Sequence, residues 1–115
     1  MSGFLVTGAG GFTGKHFCRA ALHSGYEVHA VGRDVDIPGV TARDADVRDL
    51  DALTALVGAA QPDHVVHLAA VSHVTDGSPA TYYEINVIGT LNLLEALARA
   101  SRPPTSVLVA RSEER

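Results

Sequence analysis

The sequence predicts an α/β fold in which an open parallel β-sheet carries helices on both of its faces. Short apolar runs typical of buried strands alternate along the chain with segments whose apolar residues recur at helical spacing. Aromatic residues make up only 5% of the chain and tryptophan is absent, so Val, Leu, Ala and Ile must build the core. Such a core suits a parallel sheet under alanine-rich helices. With 115 residues, we expect one small domain.

The first predicted β-α-β unit begins at the N-terminus. Gly3 to Thr7 is an apolar run stopped by glycines and is predicted to be a buried strand. A helix is predicted from about Phe12 to Ser24, and Gly25 ends it because glycine is favoured just past a helix C-terminus. Glu27 to Val31 is predicted to be the second strand. The apolar residues at helical spacing are Phe17, Ala20, Ala21 and Leu22.

The sequence pattern in the middle of the chain predicts two more strands and a helix. Val40 to Ala45 is a plausible short third strand, and the loop before it takes the place of a helix. Asp49 is a suitable N-cap for the next helix, which ends between Gly58 and Pro62. His64 to Leu68 is predicted to be the fourth strand. The buried face of this helix is predicted to carry Leu50, Leu53 and Val57.

The last predicted unit is a long helix followed by the fifth strand. Ser78 and Pro79 combine a cap with a proline at the first helical position, so a helix is predicted from Pro79 to Ala100. Ser106 to Ala110 is predicted to be the fifth strand. With right-handed crossovers, the expected strand order is 3-2-1-4-5, with a domain at residues 1–110 and a polar tail at 111–115. The apolar stripe of this helix is predicted to hold Tyr83, Val87, Leu91, Leu94 and Ala98.

Charge and composition narrow the classes of function. The formal net charge of −4 argues against a general nucleic-acid binder, which needs a basic surface. A lone cysteine, Cys18, excludes a disulfide framework and a cysteine-cluster metal site, and we expect it to face the core. There is no signal-peptide pattern and no apolar run long enough for a membrane span. We therefore expect a soluble cytoplasmic protein with no metal site.

A glycine-rich loop lies between the first strand and the first helix. Gly8, Gly11 and Gly14 are spaced three residues apart, directly after the strand. In such a loop one glycine allows a tight turn, one lets the backbone approach a pyrophosphate, and one lets the helix pack closely. The following helix directs its free N–H groups at the phosphates. The sequence therefore predicts a Rossmann-like dinucleotide-binding domain, with a glycine-rich turn without ligand as the alternative.

The end of the second strand predicts which dinucleotide is bound. NAD-binding domains usually carry an acidic residue there, about 20 residues after the glycines, to bond the ribose hydroxyls. This chain reads Val31-Gly32-Arg33-Asp34. If Gly32 takes the acidic position, nothing repels a 2′-phosphate and Arg33 can pair with it. NADP is therefore favoured, and Asp34 keeps NAD as the alternative.

Four segments resemble motifs of the extended short-chain dehydrogenases/reductases, which include nucleotide-sugar epimerases, dehydratases and reductases. They are TGAGGFTG at residues 7–14, DVRD at 46–49, QPDHVVHLAAVSHV at 61–74, and the stretch from Tyr83 through NVIGTLNLLEA at 86–96. Within that family the chain is most similar to GDP-mannose 4,6-dehydratases and GDP-6-deoxy-4-keto-mannose reductases. The resemblance implies hydride transfer at C4 of a nucleotide sugar, with GDP-mannose-type deoxysugar synthesis as the expected setting.

The resemblance also implies roles for individual residues. It places Asp46 and Val47 near the adenine, and Ser72 near the approaching substrate. Ser112 falls where the family has its catalytic serine or threonine. Family members often pair through helices, so a homodimer through residues 79–100 is expected. The cofactor-binding residues expected are Gly8, Gly11, Phe12, Thr13, Gly14, Arg33, Asp46, Val47, Leu68, Ala69 and Ala70. His67 is expected to be partly buried and bonded to backbone, with a catalytic role as the alternative.

One departure from the family concerns its Tyr-x-x-x-Lys catalytic pair. None of the three tyrosines is followed four residues later by lysine, and the single lysine is Lys15. The chain is therefore expected to be a partial domain of about five strands, from a fragment or a truncated gene, and inactive alone. The alternatives are a non-catalytic dinucleotide-binding or dimerising module, and a remnant without function whose fifth strand is an aggregation-prone edge.

Overall fold

Five parallel strands form a sheet with the order β3-β2-β1-β4-β5 in the computed structural model, which describes residues 3–68 and 84–110. The strands are β1 (Gly3–Thr7), β2 (Glu27–Val31), β3 (Thr41–Arg43), β4 (His64–His67) and β5 (Ser106–Val109). The helices are α1 (Phe12–His23), α2 (Leu50–Ala60) and α3 (Gly89–Ala98), with a π-helical turn at Glu84–Ile88 directly before α3. The predicted Rossmann-like fold and strand order are confirmed.

The register of the central strands brings three carboxyl ends to one edge of the sheet. Thr7, the last residue of β1, is paired with Val31 of β2 on one side and with His67 of β4 on the other. The chain leaves β1 toward β2 and β3, and then crosses to β4 on the opposite side. The strand order therefore reverses between β1 and β4, and open α/β sheets bind ligands at such a switch point.

Two hydrophobic cores cover the two faces of the sheet. Leu5 and Val6 are adjacent in β1 and point to opposite faces, because side chains alternate along a strand. On the Val6 face, α1 packs against the sheet and Cys18 is completely buried, as predicted. On the Leu5 face, α2 and α3 pack together, with Leu53 and Leu93 both completely buried. Each burial of a leucine side chain stabilises the fold by about 1.5–3 kcal/mol.

Several element boundaries differ from the sequence prediction. The third strand covers only Thr41–Arg43, because it lies at the sheet edge and pairs with just three residues of β2. In α1 the predicted core position Ala20 is exposed, and the buried residues are Gly14, Cys18 and Ala21. The Asp49 cap is confirmed, since its side chain accepts a hydrogen bond from the Ala52 amide. The predicted start of the long helix, at Ser78 and Pro79, lies outside the described residues.

The predicted apolar stripe of the last helix faces outward. Val87, Leu91 and Leu94 are 37%, 57% and 45% exposed. The buried residues of α3 are instead Gly89, Leu93, Ala96 and Leu97. Leucines lie on both sides of α3, so their spacing alone does not distinguish the sides, and packing in the core selects the side of Leu93, Ala96 and Leu97. Tyr83, the first residue of the predicted stripe, lies outside the described residues.

Strand β5 forms one edge of the sheet and carries exposed apolar side chains. Val107, Leu108 and Val109 are 40%, 59% and 40% exposed. The strand pairs with β4 in register over all four of its residues. No helix within residues 3–68 and 84–110 is both long enough and apolar enough to cross a membrane.

Candidate functional site

A cleft of about 290 Å³ opens at the carboxyl edge of the sheet. Its walls come from the segments that follow β1, β2 and β3. The lining residues are Gly8, Gly10, Gly11, Val31, Gly32, Arg33, Asp44, Ala45, Asp46, Val47 and Arg48. Residues far apart in sequence meet here because the parallel strands all end at this edge.

The glycine-rich loop is shaped by close contacts that leave no room for side chains. Gly8 has a φ of 71°, a left-handed conformation that favours glycine. A Cβ on Gly14 would lie 2.6 Å from the Ala9 Cα, so only glycine lets α1 pack this closely on the loop. A Cβ on Gly10 would lie 2.9 Å from the Arg33 carbonyl oxygen. The loop therefore presents bare backbone to the cleft, as the predicted glycine roles require.

The N-terminus of α1 adjoins this backbone and carries no acidic residue in its first turn. Its N-cap is Gly11, which makes no side-chain capping bond. By contrast, α2 is capped by the Asp49 side chain and has Asp51 in its first turn. The partial positive charge of α1 is therefore not neutralised by acidic side chains of its first turn, which suits an anionic ligand.

Phe12 and Thr13 lie in the first turn of α1 rather than in the lining of the cleft. Both are exposed, and the Phe12 side chain is 80% exposed. The Phe12 ring stacks edge-on against His16, with ring centroids 4.4 Å apart. Of the expected loop residues, Gly8 and Gly11 line the cleft, while Gly14 is buried beneath it.

Arg33 places a positive charge on the rim of the cleft. It is exposed and lines the cleft together with Gly32, whose lack of a side chain leaves the rim open. Asp34 follows in a left-handed conformation with a φ of 56° and is not among the described lining residues. The geometry thus brings Arg33, and not the competing Asp34, to the cleft.

Asp46 and Arg48 form a bidentate ion pair on the opposite wall. The Arg48 Nε donates to Asp46 Oδ1 at 3.0 Å, and Nη2 donates to Oδ2 at 2.7 Å. The Arg48 backbone amide also donates to Oδ1, at 2.9 Å. The side-chain hydrogen bond from Arg48 is the main reason that the pKa of Asp46 lies below its usual value. Sequence reasoning missed Arg48, although its place in DVRD, two residues after Asp46, was a usable signal.

Val47 lies between these two residues in the chain and is a buried lining residue of the cleft, with 8% of the residue exposed. Its carbonyl oxygen accepts a hydrogen bond from Asn92 Nδ2 at 3.1 Å. Asn92 belongs to α3, so this bond ties the cleft wall to the helix that packs on the Leu5 face of the sheet. The position expected to approach the adenine is therefore held by this bond and by burial of Val47 in the core of that face.

A buried polar network lies at the switch point between β1 and β4. His67 is completely buried, and its Nδ1 lies 2.6 Å from Thr7 Oγ1. The other ring nitrogen, Nε2, lies 3.0 Å from Thr90 Oγ1. Thr90 uses its hydroxyl proton to bond the Asn86 carbonyl at 2.7 Å. Nε2 must therefore donate to Thr90, and the neutral ring accepts from Thr7 at Nδ1.

Burial lowers the pKa of His67 to about 4, which keeps the ring neutral near pH 7. The expectation of a partly buried histidine bonded to backbone was wrong on both points. The ring is fully buried, and its hydrogen-bond partners are threonine side chains. Sequence reasoning missed Thr7 and Thr90 as its partners, although a threonine at the end of an apolar strand was a visible signal.

Leu68 follows His67 and turns its side chain into the core beneath α1. Its amide donates to Thr7 Oγ1 at 3.0 Å, so the backbone at this position is held against β1. The remaining expected site residues, Ala69, Ala70, Ser72 and Ser112, lie outside the described residues.

The chain matches known proteins over most of its length. The model of the NAD dependent epimerase/dehydratase family matches residues 4–114. GDP-6-deoxy-D-talose 4-dehydrogenase of Aggregatibacter actinomycetemcomitans is 32% identical over 94 residues, covering 81% of this chain and 29% of that protein. GDP-mannose 4,6-dehydratase of Vibrio cholerae is 32% identical over 112 residues, covering 81% of this chain and 30% of that protein. The chain thus spans less than a third of these relatives.

A solved structure shows the same arrangement of elements. The crystal structure of UDP-glucose 4-epimerase from Thermus thermophilus, in complex with NAD, superposes with a TM-score of 0.73 at 34% identity. The match covers 82% of this chain and 33% of that chain. The likeness supports the predicted fold and sheet order.

Replacing Gly14 tests the close packing of the loop. We expect Gly14→Ala to lower the free energy of unfolding by about 1–3 kcal/mol, because the new methyl group overlaps backbone atoms. Gly58→Ala is the matched control, since a Cβ there meets no atom within 4 Å. This control should raise stability by about 0.5–1 kcal/mol through helix propensity. Urea unfolding followed by circular dichroism measures both, and equal stability of Gly14→Ala and the wild type would contradict the packing.

The buried His67 predicts that stability falls in mild acid. Its pKa is lowered from 6.5 to about 4 on folding, so between these values the unfolded chain binds a proton that the folded chain excludes. This histidine should therefore reduce the free energy of unfolding by about 1.4 kcal/mol for each pH unit between 6.5 and about 4, and no further below that. His67→Asn should show a shallower pH dependence in urea unfolding, while the exposed control His23→Asn should keep the wild-type slope. Identical slopes for His67→Asn and the wild type would refute the neutral buried ring.

Proposed function

The chain belongs to the NAD dependent epimerase/dehydratase family, and from this premise we propose that it is the dinucleotide-binding portion of a nucleotide-sugar dehydratase, epimerase or reductase. The observation that carries the proposal is the bare-backbone cleft at the N-terminus of α1, with Arg33 on its rim. A bound nicotinamide dinucleotide would supply the hydride acceptor for chemistry at C4 of the sugar. This chain's own residues would bind and orient that cofactor.

The cleft residues fit such a ligand in chemistry and in shape. Gly8, Gly10 and Gly11 would hold the pyrophosphate through backbone, because side chains are absent where the phosphates must approach. The wall at Asp46 and Val47 would take the adenine, with a carboxylate beside a buried apolar residue. Phe12 and Thr13 would flank the phosphates from the first turn of α1, and Leu68, Ala69 and Ala70 would lie under the nicotinamide side.

We propose NADP as the preferred dinucleotide, with NAD as the alternative. Gly32 offers no acidic side chain to the ribose hydroxyls, and Arg33 offers a guanidinium at the same rim. A guanidinium can hold a phosphate through paired hydrogen bonds, which makes it the better partner for a 2′-phosphate. The NAD bound to the Thermus thermophilus enzyme supports the alternative.

The substrate we propose is a GDP-mannose-type nucleotide sugar. Two of the relatives carry GDP-sugars in their names, namely the talose dehydrogenase and the mannose dehydratase. Ser72 as a substrate contact and Ser112 as the catalytic hydroxyl stay predictions from the family motifs. A cytoplasmic location stays a prediction as well.

Cofactor titration tests the proposal at Arg33. Calorimetry should show NADP binding more tightly than NAD to the wild-type chain. Arg33→Ala should weaken NADP binding about tenfold or more and leave NAD binding unchanged, because one charge-assisted contact to the 2′-phosphate is lost. Asp34→Ala is the matched control and should leave the NADP affinity unchanged. Absence of heat with both dinucleotides, for a chain shown to be folded, would overturn the dinucleotide proposal.

Turnover by this chain alone is not expected. These 115 residues carry no Tyr-x-x-x-Lys pair, so the acid/base group of the family motif is not supplied. Incubation with NADP and GDP-mannose should therefore yield no product by mass spectrometry, with the Vibrio cholerae dehydratase as a positive control. Product formation would refute the prediction. Cofactor binding without turnover also fits the second candidate function, a non-catalytic dinucleotide-binding module.

We further propose that α3 pairs with a second copy of the chain. Leu91 and Leu94 of α3, with Val87 of the preceding π-helical turn, form an exposed apolar stripe. The other side of α3 packs in the core. Leu91→Lys should shift the sedimentation coefficient from dimer to monomer, because a charge would enter the apolar contact. Ala55→Lys, at an exposed position of α2, should leave the assembly unchanged. A wild-type chain that sediments as a monomer at about 100 μM would rule out the dimer, since this exceeds a micromolar dissociation constant about a hundredfold.

A further inference from the structure

The polar network around His67 lies where the strand order of the sheet reverses. Thr7 is the last residue of β1 and directly precedes the glycine-rich loop. His67 is the last residue of β4 and is paired in register with Thr7. Each of the two residues is therefore the point at which a chain segment leaves the sheet at its carboxyl edge.

The hydrogen bonds of the network determine its proton positions. Thr90 donates to the Asn86 carbonyl, so His67 Nε2 can only donate to Thr90. The unprotonated Nδ1 then accepts from the Thr7 hydroxyl at 2.6 Å. The ring is completely buried and bridges β1 to α3 across β4. A flipped or rotated ring would leave buried polar atoms without partners, which costs more than the bonds themselves contribute.

The described cleft covers only one side of the switch point. Its lining comes from the segments after β1, β2 and β3, from Gly8 through Arg48. A dinucleotide that lies across a switch point must place its other half over the strand on the opposite side, which here is β4. The Thr7–His67 pair therefore lies beneath the position where the second half would cross.

We propose that His67 is a positioning residue for the nicotinamide half of the dinucleotide, an inference that rests on the proposed function. Its two ring nitrogens join the Thr7 side chain, at the carboxyl end of β1, to the Thr90 side chain of α3. Through Thr7 it also fixes the backbone of Leu68, whose amide donates to the same hydroxyl. The adenine half is held separately, by the residues around Arg33 and Asp46.

Two amide variants separate the two bonds of the ring. His67→Asn keeps an acceptor near the position of Nδ1 and loses the reach to Thr90. His67→Gln keeps a donor near the position of Nε2 and loses the acceptor for Thr7. Thr7→Val removes the hydroxyl with little change in shape, and Thr7→Ser is the matched control that retains it. Circular dichroism establishes which variants are folded before any titration.

The measurement compares a whole ligand with its adenine half. Dissociation constants are measured for NADP and for adenosine 2′,5′-bisphosphate, which carries no nicotinamide. We expect His67→Asn, His67→Gln and Thr7→Val each to weaken NADP binding about tenfold, the equivalent of one hydrogen bond. Binding of the bisphosphate should change less than about twofold. This ligand loses no contact in these variants, and a tenfold change in affinity corresponds to the loss of a whole contact. Thr7→Ser should match the wild type with both ligands.

The outcomes distinguish this inference from the proposed function. Equal weakening of both ligands would indicate a general structural role and overturn the positioning role, as would unchanged NADP binding in every folded variant. If the His67 variants do not fold, Thr7→Val against Thr7→Ser decides by the same criterion. A folded wild-type chain that binds neither ligand would overturn the proposed function itself, and the inference with it.

Discussion

The close approach of α1 to the end of β1 is the constraint on which the rest of the structure depends. Gly14 allows this approach, because a Cβ at that position would overlap the backbone of the loop beside Ala9. The positive φ of Gly8 turns the chain tightly enough to begin the helix there. From this contact follow the packing of α1 on the Val6 face, the direction of its N-terminus toward the cleft, and the bare backbone that the cleft presents.

The cleft is also held from the opposite face of the sheet. Asn92 of α3 bonds the carbonyl of Val47 in the cleft wall, and Thr90 of the same helix bonds His67 at the switch point. The helix therefore supports both sides of the strand-order reversal, although it does not line the cleft. Packing of Leu93 against α2 and the sheet holds the helix in the orientation that allows both bonds. The stability of the fold and the shape of the cleft thus depend on the same contacts.

Apolar surface is distributed unevenly over the fold. The two cores bury their residues almost completely, whereas the outer stripe of α3 and strand β5 expose theirs. Strand β5 has an exposed leucine and two exposed valines and is the outermost strand among the described residues, a position that favours pairing with a further strand. The stripe of α3 exposes apolar side chains on a helix whose backbone groups bond within the helix. Such a surface favours packing against another helix. The two surfaces therefore differ in the kind of contact that each can make.

The sequence by itself determined the order of the elements, the strand order and the glycine-rich loop. Apolar runs stopped by glycine or proline place β1, β2 and β5 within a residue of their observed bounds, because these signals are local. The tertiary structure decided which side of α3 is buried, since leucines lie on both sides of the helix and only packing in the core selects Leu93 and Leu97. It also joined His67 to Thr7 and Thr90, which lie 60 and 23 residues away. Such partners are set by the packing of several elements at once, and no local pattern of residues encodes that packing.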